Sequence, residues 1–298
     1  MQDITLPEGL RLNEESPTND QSGAEFATID VSTRLCTGRI HLHGAQVTAW
    51  QPRGASEPVF WQSAQAQLAS DKAIRGGVPI SFPWFADGRS HNQKPAHGLA
   101  RLADWKLVDA SSTPGGEVTV RLRLDDETLA KSKFAPDAEV TLVVTMGVAV
   151  QMSLVVRAGS AACHFEDAMH NYFHVGDVTR ASVKGLDAAR YLDKVSGRDG
   201  QLQEGPVTFS GETDRVYQSV ASASIVDPVL NRTIRIEKSG SESTVVWNPW
   251  SKRSEKDFGM APGEWQQMVC VETANALADE VYLEAGEKHV LSQVISLG

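Results

Sequence analysis

The sequence contains little cysteine and few aromatic residues. Its three cysteines, Cys36, Cys163 and Cys270, are odd in number and widely separated in a chain of 298 residues. This pattern excludes a disulfide framework and a zinc knuckle, and it predicts free, mostly buried thiols in a reducing compartment. Aromatic residues make up only 7% of the chain, but 41% of it is hydrophobic, which is enough to bury a large core.

Long hydrophobic runs are also missing. The longest uncharged apolar runs, such as residues 143–150, fall far short of the roughly 18–20 residues that a membrane-spanning helix needs. Residues 1–9 have neither a basic start nor an apolar core, so we expect no secretory signal. These absences predict a cytoplasmic protein with no membrane partner.

Basic residues are fewer than acidic residues. Against 38 Asp and Glu residues the chain has 28 Lys and Arg residues, which gives a formal net charge of −10. No basic run is available to collect phosphates, so nucleic acid is not an expected partner. A small anionic substrate can bind such a chain only where a few arginines form a local positive pocket. Specific arginines are therefore the residues to look for.

Many short segments have the pattern of β-strands. Residues 27–31, 39–43 and 46–51 are bounded by Gly or Pro, and residues 117–124 alternate between apolar and polar side chains. Residues 139–157 predict a hairpin around Gly147, and residues 233–247 predict another around Ser239-Gly240. Residues 266–272, 281–284 and 290–296 predict three further strands. Helical periodicity is weak except near residues 63–70 and 126–132.

This succession of short strands, without alternating long helices, predicts antiparallel sheets packed face to face. We expect an all-β protein, a large antiparallel β-sandwich with a few short helices. No change of composition marks a boundary, so residues 1–298 are expected to form a single domain, with residues 1–24 as a loosely attached lead-in. We also expect a monomer.

Two segments combine glycine with arginine. Arg75 precedes a Gly-Gly pair that allows the backbone to approach a ligand closely, and its guanidinium suits a phosphate or a carboxylate. Farther along, His97 precedes a glycine and Arg101 follows, an arrangement that could hold a sugar hydroxyl and a second anionic oxygen. Each segment also has a purely structural interpretation, as a turn with a solvated Arg75 and as a loop with a hydrogen-bonding His97. Two fixed cations together favour a phosphate site.

Three histidines, His164, His170 and His174, fall within eleven residues. His170 and His174 are four residues apart, but the zinc-protease motif needs Glu after its first His, and Asn171 stands there. We therefore expect no metal site. We interpret His170 as a catalytic acid, because imidazole exchanges protons near neutral pH, and His164 and His174 as packing or rim residues.

Glu272 is the acidic candidate. It ends the apolar run 268–271, and a carboxylate at the mouth of a buried strand is suited to general-base catalysis. The alternative is a glutamate at a strand end that points to solvent. Glu264 lies nearby but follows a Pro-Gly turn.

Several of these segments, taken in order, resemble a known family. The sequence is similar to the hexose-6-phosphate mutarotases, or glucose-6-phosphate 1-epimerases, a branch of the aldose 1-epimerase superfamily, from about residue 25 onward. The resemblance implies a galactose-mutarotase-like β-sandwich that needs no cofactor and interconverts the α and β anomers of a hexose 6-phosphate. It is carried by residues 75–79, 95–101, 169–173, 212–217, 246–250 and 269–272.

The resemblance also implies roles for particular residues. His170 would be the general acid and Glu272 the general base, acting on opposite sides of the anomeric carbon C1. The implied substrate-binding residues are Arg75, Arg101 and Asp214, with His97 in the same pocket. Some relatives have Gln before that histidine, whereas this chain has Ala96, so any side-chain contact made there is lost or replaced.

Two other functions fit the same residues. One is mutarotation of non-phosphorylated aldoses, and the other is non-catalytic binding of a sugar phosphate on the same fold, because a fold does not fix a function. A matched acid and base disfavour the pure binder, which has no use for them.

Overall fold

The protein is built almost entirely from antiparallel strands. The computed structural model describes residues 4–13 and 26–298, and within them it contains 23 strands. They are β1 Leu10–Asn13, β2 Thr28–Ser32, β3 Cys36–His41, β4 Gln46–Pro52, β5 Ile80–Ser81, β6 Trp105–Ser112, β7 Val118–Leu124, β8 Glu139–Met146, β9 Ala149–Arg157, β10 Cys163–Phe165, β11 Asp167–Met169, β12 Tyr172–His174, β13 Ser182–Lys184, β14 Arg190–Asp193, β15 Arg198–Leu202, β16 Val207–Thr208, β17 Thr213–Gln218, β18 Ala223–Asp227, β19 Arg232–Ser239, β20 Ser243–Asn248, β21 Met268–Asn275, β22 Val281–Leu283 and β23 Lys288–Leu297.

Helices are few and short. The α-helices are α1 Asp126–Ala130 and α2 Trp250–Lys256, and single 3-10 turns occupy Ala100–Leu102, Glu264–Gln267 and Leu277–Asp279. The weak helical signal near residues 126–132 corresponds to α1, whereas residues 63–70 form no helix. No helix of the described residues has the length and apolar character needed to span a membrane.

Two large sheets dominate the fold and confirm the predicted all-β sandwich. The nine-stranded sheet has the order β16-β13-β18-β19-β23-β9-β8-β7-β6, and the eight-stranded sheet has the order β15-β14-β17-β20-β21-β11-β5 with β12 also paired to β21. A four-stranded sheet, β1-β2-β3-β4, and the pair β10-β22 complete the fold. Strand β1 belongs to the predicted lead-in, while residues 1–3 and 14–25 of that segment lie outside the described residues.

The core lies between the two large sheets. Alternation along β7 and β9 buries every second side chain of each strand in one continuous hydrophobic cluster: Val118, Val120, Leu122 and Leu124 of β7, and Val150, Met152, Leu154 and Val156 of β9. Full burial of each such side chain stabilises the fold by roughly 1.5–3 kcal/mol. The three cysteines are free and buried, as predicted.

One predicted hairpin is wrong. Strands β19 and β20 are consecutive, but β19 pairs with β18 and β23 while β20 pairs with β17 and β21, so residues 240–242 cross from one sheet to the other. Gly240 is essential to this crossing, because its φ is +69° and a Cβ there would lie 2.0 Å from the Val290 carbonyl oxygen. Every residue of β20 is buried, so the strand needs cover on both faces and takes a central place in the eight-stranded sheet.

Candidate active site

His170 and Glu272 meet on the eight-stranded sheet. Strands β11 and β12 pair with successive parts of β21, with Met169 opposite Thr273 and Tyr172 opposite Cys270. His170 lies in the interruption between these two short strands, beside the β21 strand that carries Glu272. His170 Nε2 lies 3.5 Å from Glu272 Oε1, and the side chains are only 9% and 1% exposed.

The segment after Arg75 supports this interruption. The His170 N–H donates to the Pro79 carbonyl at 3.0 Å, and the Tyr172 N–H donates to the Gly77 carbonyl at 2.8 Å. Gly77 has a φ of +59°, and a Cβ there would lie 2.2 Å from the Val47 carbonyl oxygen. Gly77 thus lets the chain pass close to β4, as only glycine can at this distance.

A buried amide pair lies behind the two candidate catalytic residues. Asn171 Nδ2 donates to Gln293 Oε1 at 2.8 Å, and Gln293 Nε2 donates to Asn171 Oδ1 at 2.7 Å. Asn171 Nδ2 also donates to the Val271 carbonyl, and Thr273 Oγ1 donates to Gln293 Oε1, both at 2.9 Å. These bonds connect Asn171, which follows His170, to Val271 and Thr273, which flank Glu272 in sequence.

Aromatic rings enclose the histidine. The His170 ring stacks on Tyr172 with centroids 4.8 Å apart and an interplanar angle of 12°, and Trp247 meets it edge-on at 6.0 Å. Such contacts restrict the ring to one orientation. Two polar atoms of the pair, His170 Nδ1 and Glu272 Oε2, are buried without a hydrogen-bond partner in the described part of the chain. Buried polar atoms are normally satisfied, so these two are suited to bind a ligand.

The environment shifts the pKa values of the pair in opposite directions. Burial, followed by the positive charges of Arg101 and Arg75, lowers the pKa of His170 to about 3. Burial, reinforced by the negative charge of Asp214, raises the pKa of Glu272 well above its usual range. Both directions follow from the cost of charging a desolvated group. Both shifts favour the uncharged forms, a neutral imidazole on His170 and a protonated carboxyl on Glu272.

His97 lies next to this pair. Its ring centroid is 5.4 Å from that of His170, and its backbone has a φ of +62°. The Ala86 N–H donates to His97 Nδ1 at 3.4 Å, so Nδ1 is an acceptor and the ring proton belongs on Nε2. Ser81 Oγ lies 3.2 Å from the same Nδ1. His97 is therefore a neutral ring whose remaining N–H is available as a donor.

Arg75 and Arg101 provide the positive charge of the site. Within the described residues, neither forms an ion pair with a carboxylate. The Arg75 guanidinium lies 5.1 Å from the centroid of the Phe258 ring. Arg101 Nη2 donates to the Ala96 carbonyl at 2.6 Å, while its Nε is buried without a partner in the described structure. Burial lowers the pKa of Arg101 to about 10, so it remains a cation at neutral pH.

Asp214 projects from β17 toward the same cavity. Its carboxylate lies 3.7 Å from Lys194 Nζ, and that ammonium also lies 5.3 Å from the centroid of the Phe85 ring. Burial raises the pKa of Asp214 above its usual value. The carboxylate is therefore paired with Lys194 and can still accept hydrogen bonds from hydroxyl groups.

All six site residues predicted from the sequence line one cavity of about 280 Å³. Its walls contain residues that the sequence analysis did not assign: Phe85, Lys194, Trp247, Arg253 and Phe258, with Tyr172 and Ala96. Trp247 lies in a segment used for the family resemblance, but no sequence signal singled out Lys194. His164 and His174 do not line this cavity; His164 is exposed and packs edge-on against Phe134.

Comparison with known proteins identifies the family of this chain. The family model for aldose 1-epimerase matches residues 28–296, and the chain belongs to the aldose 1-epimerase family. A structure of a candidate mutarotase from Salmonella typhimurium has a TM-score of 0.86 and 29% sequence identity, covering 99% of this chain and 95% of that one.

Curated relatives point in the same direction. A protein of Escherichia coli K12 named as a candidate glucose-6-phosphate 1-epimerase is 33% identical over 258 residues, 85% of this chain and 84% of that protein. A protein of Cenchrus ciliaris with the same name is 33% identical over 271 residues, 86% of this chain and 79% of that protein. The resemblance predicted from the sequence motifs is therefore confirmed at the level of the family.

Proposed function

We propose that the protein interconverts the α and β anomers of hexose 6-phosphates, with glucose 6-phosphate as the first choice of substrate. One observation carries this proposal. His170 and Glu272, whose side chains are 3.5 Å apart, line the same cavity as Arg75 and Arg101. The names of the curated relatives support the phosphorylated substrate, and the family supports the anomeric chemistry.

The chemistry requires two proton transfers at one carbon. To open the hexose ring, His170 as acid gives a proton to the ring oxygen while Glu272 as base takes the proton of the anomeric hydroxyl. After rotation about the C1–C2 bond the aldehyde presents its other face, and the reverse transfers close the ring. Each positioned proton transfer contributes roughly 100- to 10,000-fold to the rate.

The resemblance implies an acid and a base on opposite sides of C1, and the structure gives the distance between the two side chains, 3.5 Å. His170 and Glu272 lie side by side in the cavity wall. The two oxygens that exchange protons are bonded to the same carbon, so an adjacent acid and base can each reach one of them. The hexose then has to bind with its ring oxygen and its anomeric hydroxyl facing the pair.

A phosphate would also change the electrostatic environment of His170. Arg101 and Arg75 help to lower the pKa of His170, and a phosphate dianion between them would offset their charge. The pKa of His170 would then rise, although burial, the larger cause of its low value, would remain. In this proposal the 6-phosphate anchors the sugar and makes His170 easier to protonate.

The central test is the exchange rate between anomers, measured at equilibrium by two-dimensional NMR. We expect His170→Ala and Glu272→Gln each to slow the catalysed exchange of glucose 6-phosphate by about 100- to 10,000-fold while the protein stays folded. His164→Ala is a matched control, because His164 is exposed and outside the cavity. Unchanged exchange in both active-site variants would overturn the assignment. Tight binding of glucose 6-phosphate without rate enhancement in the unmodified protein would instead favour a non-catalytic binder.

The phosphate is tested separately. We expect Arg75→Ala and Arg101→Ala to raise KM for glucose 6-phosphate much more than KM for glucose. Arg190→Ala, at an exposed position of β14, is the control. If the two active-site variants affected both sugars alike, the enzyme would be a mutarotase for non-phosphorylated aldoses.

A further inference from the structure

A second cavity of about 320 Å³ adjoins the first. Four residues, Arg75, Arg101, Tyr172 and Phe258, line both cavities and form the wall between them. Beyond that wall the second cavity is lined by a loop that contains Ser63, Gln65, Gln67, Lys72, Ala73 and Ile74, with Pro79 and Gly259. An anion held by the two guanidinium groups is therefore within reach of both cavities.

The charges that line the two cavities differ. The residues around the second cavity include three cations, Lys72, Arg75 and Arg101, and no aspartate or glutamate. The first cavity has four cations but also the carboxylates of Asp214 and Glu272. The Glu264 carboxylate lies at the same loop, where it accepts from Ser63 Oγ and from the Ala64 N–H, both at 2.7 Å. In a chain with a formal net charge of −10, a cavity whose lining includes three cations suits an anionic group.

The backbone that carries Arg75 is held rigidly. The buried amide of Gln46 donates from Nε2 to the Ile74 carbonyl at 2.8 Å and to the Gly76 carbonyl at 2.6 Å, on either side of Arg75. The Arg75 carbonyl itself accepts the Ser63 N–H at 3.1 Å. Arg75 thus projects from a fixed position, as a binding group needs to.

Lys72 adds a third positive group. Its Nζ donates to Gln67 Oε1, and since an ammonium has three N–H donors, two remain for a ligand. The buried Nε of Arg101 likewise has no hydrogen-bond partner in the described structure. The donors of the cavity are therefore only partly used by the protein.

We propose that the second cavity is the phosphoryl subsite and that Lys72 is a phosphate-binding residue. This rests on the proposed function: the hexose ring lies in the first cavity against His170 and Glu272, and its exocyclic phosphate passes the Arg75–Arg101 wall to reach Lys72. The ligand class of the subsite is a phosphate monoester or free phosphate. Sugars that lack the phosphate leave the subsite without an anion.

The test measures two constants: the inhibition constant of inorganic phosphate as a competitive inhibitor of anomer exchange, and KM for glucose 6-phosphate. We expect Lys72→Ala to raise both constants about 5- to 10-fold, the effect of losing one charge-assisted contact at a partly solvated site. Lys72→Glu should raise them further, because it adds a repelling charge. Lys184→Ala, an exposed lysine of β13 in the other large sheet, should leave both constants unchanged.

The outcomes separate this proposal from the function on which it rests. If the Lys72 variants behave like the Lys184 control while Arg75→Ala and Arg101→Ala weaken phosphate inhibition, the phosphate lies in the first cavity and the subsite proposal is wrong. If the arginine variants also leave phosphate inhibition unchanged, the phosphorylated substrate itself is wrong.

Discussion

Asn171 and Gln293 exchange two hydrogen bonds from opposite large sheets, at 2.8 and 2.7 Å. Gln293 belongs to β23 of the nine-stranded sheet, and Asn171 follows His170 on the eight-stranded side. Both amides are fully buried, and Thr273 joins them. A buried polar network of this kind, fully satisfied, fixes one arrangement of the elements that it joins. The position of His170 relative to Glu272 is thus set through the core of the sandwich.

Gln293→Met is expected to reduce kcat about 10- to 100-fold with little change in KM. Methionine keeps the length of the side chain but removes both hydrogen bonds with Asn171. The proposed catalytic pair therefore loses its alignment while the proposed sugar-binding groups remain. Anomer exchange measured over a range of substrate concentrations separates the two constants. Gln151→Met, at an exposed position of the neighbouring strand β9, is the control. A rise in KM with normal kcat would contradict a positioning role.

Phosphate is expected to raise the pKa of His170. Burial, and then the positive charges of Arg101 and Arg75, lower that pKa to about 3. A bound phosphate dianion offsets part of the arginine charge. The measurement is an NMR titration of the imidazole in ¹⁵N-labelled protein with and without inorganic phosphate. In an Arg75→Ala, Arg101→Ala double variant the pKa should start higher and no longer respond to phosphate. A response that persisted in the double variant would mean that phosphate acts elsewhere.

Asp214→Asn and Lys194→Met are expected to shift the titration of Glu272 in opposite directions. After burial, the charge of Asp214 is the next cause that raises the pKa of Glu272, and Lys194 opposes it. Because a base must be ionised, the acidic limb of the profile of kcat/KM against pH should move to lower pH in Asp214→Asn and to higher pH in Lys194→Met. Shifts in the same direction would show that the limb belongs to another group.

Asp167→Asn is expected to stabilise the protein at neutral pH. Both carboxylate oxygens of Asp167 are buried without a hydrogen-bond partner in the described part of the molecule, and burial raises its pKa well above the usual value. The unfolded chain releases this proton above about pH 4 and the native state does so only at higher pH, so native stability falls as the pH rises.

The asparagine carries no such proton. The variant should therefore have a free energy of unfolding roughly 1–3 kcal/mol higher at pH 7, and this difference should disappear as the pH falls toward 4. Chemical denaturation at several pH values measures it. A gain that did not depend on pH would show that ionisation of Asp167 is not the cause. Asp187→Asn, at an exposed position, is the control.

Local patterns predicted the strands well and their pairing less well. The alternation of residues 117–124 identified β7, because one face of that strand is dry and the other is partly wet. The same reasoning failed at residues 233–247, where a Gly-containing turn suggested a hairpin. A turn signal shows that the chain reverses, but only the covering of both faces of β20 determines which sheet the strand joins.

The site was predicted to the extent that its residues are chemically distinctive. Histidines, a glutamate in an apolar run and arginines beside glycines stand out in a sequence, and these residues line one cavity. Lys194 and Lys72 did not stand out, since a lysine in a polar loop has the same local pattern whether or not it borders a cavity. Gln293 was missed for a related reason: it occupies one polar position of a partly buried strand, and its partner lies 122 residues away.

The division between sheet and loop has a consequence for how such proteins diversify. Glu272 is borne by a fully buried strand and His170 is locked beside it, whereas Arg75 and Lys72 are borne by the loop that runs from residue 63 to 79. Insertions and substitutions are tolerated in loops far more readily than in a packed sheet. A descendant of this chain could therefore change its contacts with the phosphoryl group by substitutions in residues 64–72, which are not buried, and leave His170 and Glu272 unchanged.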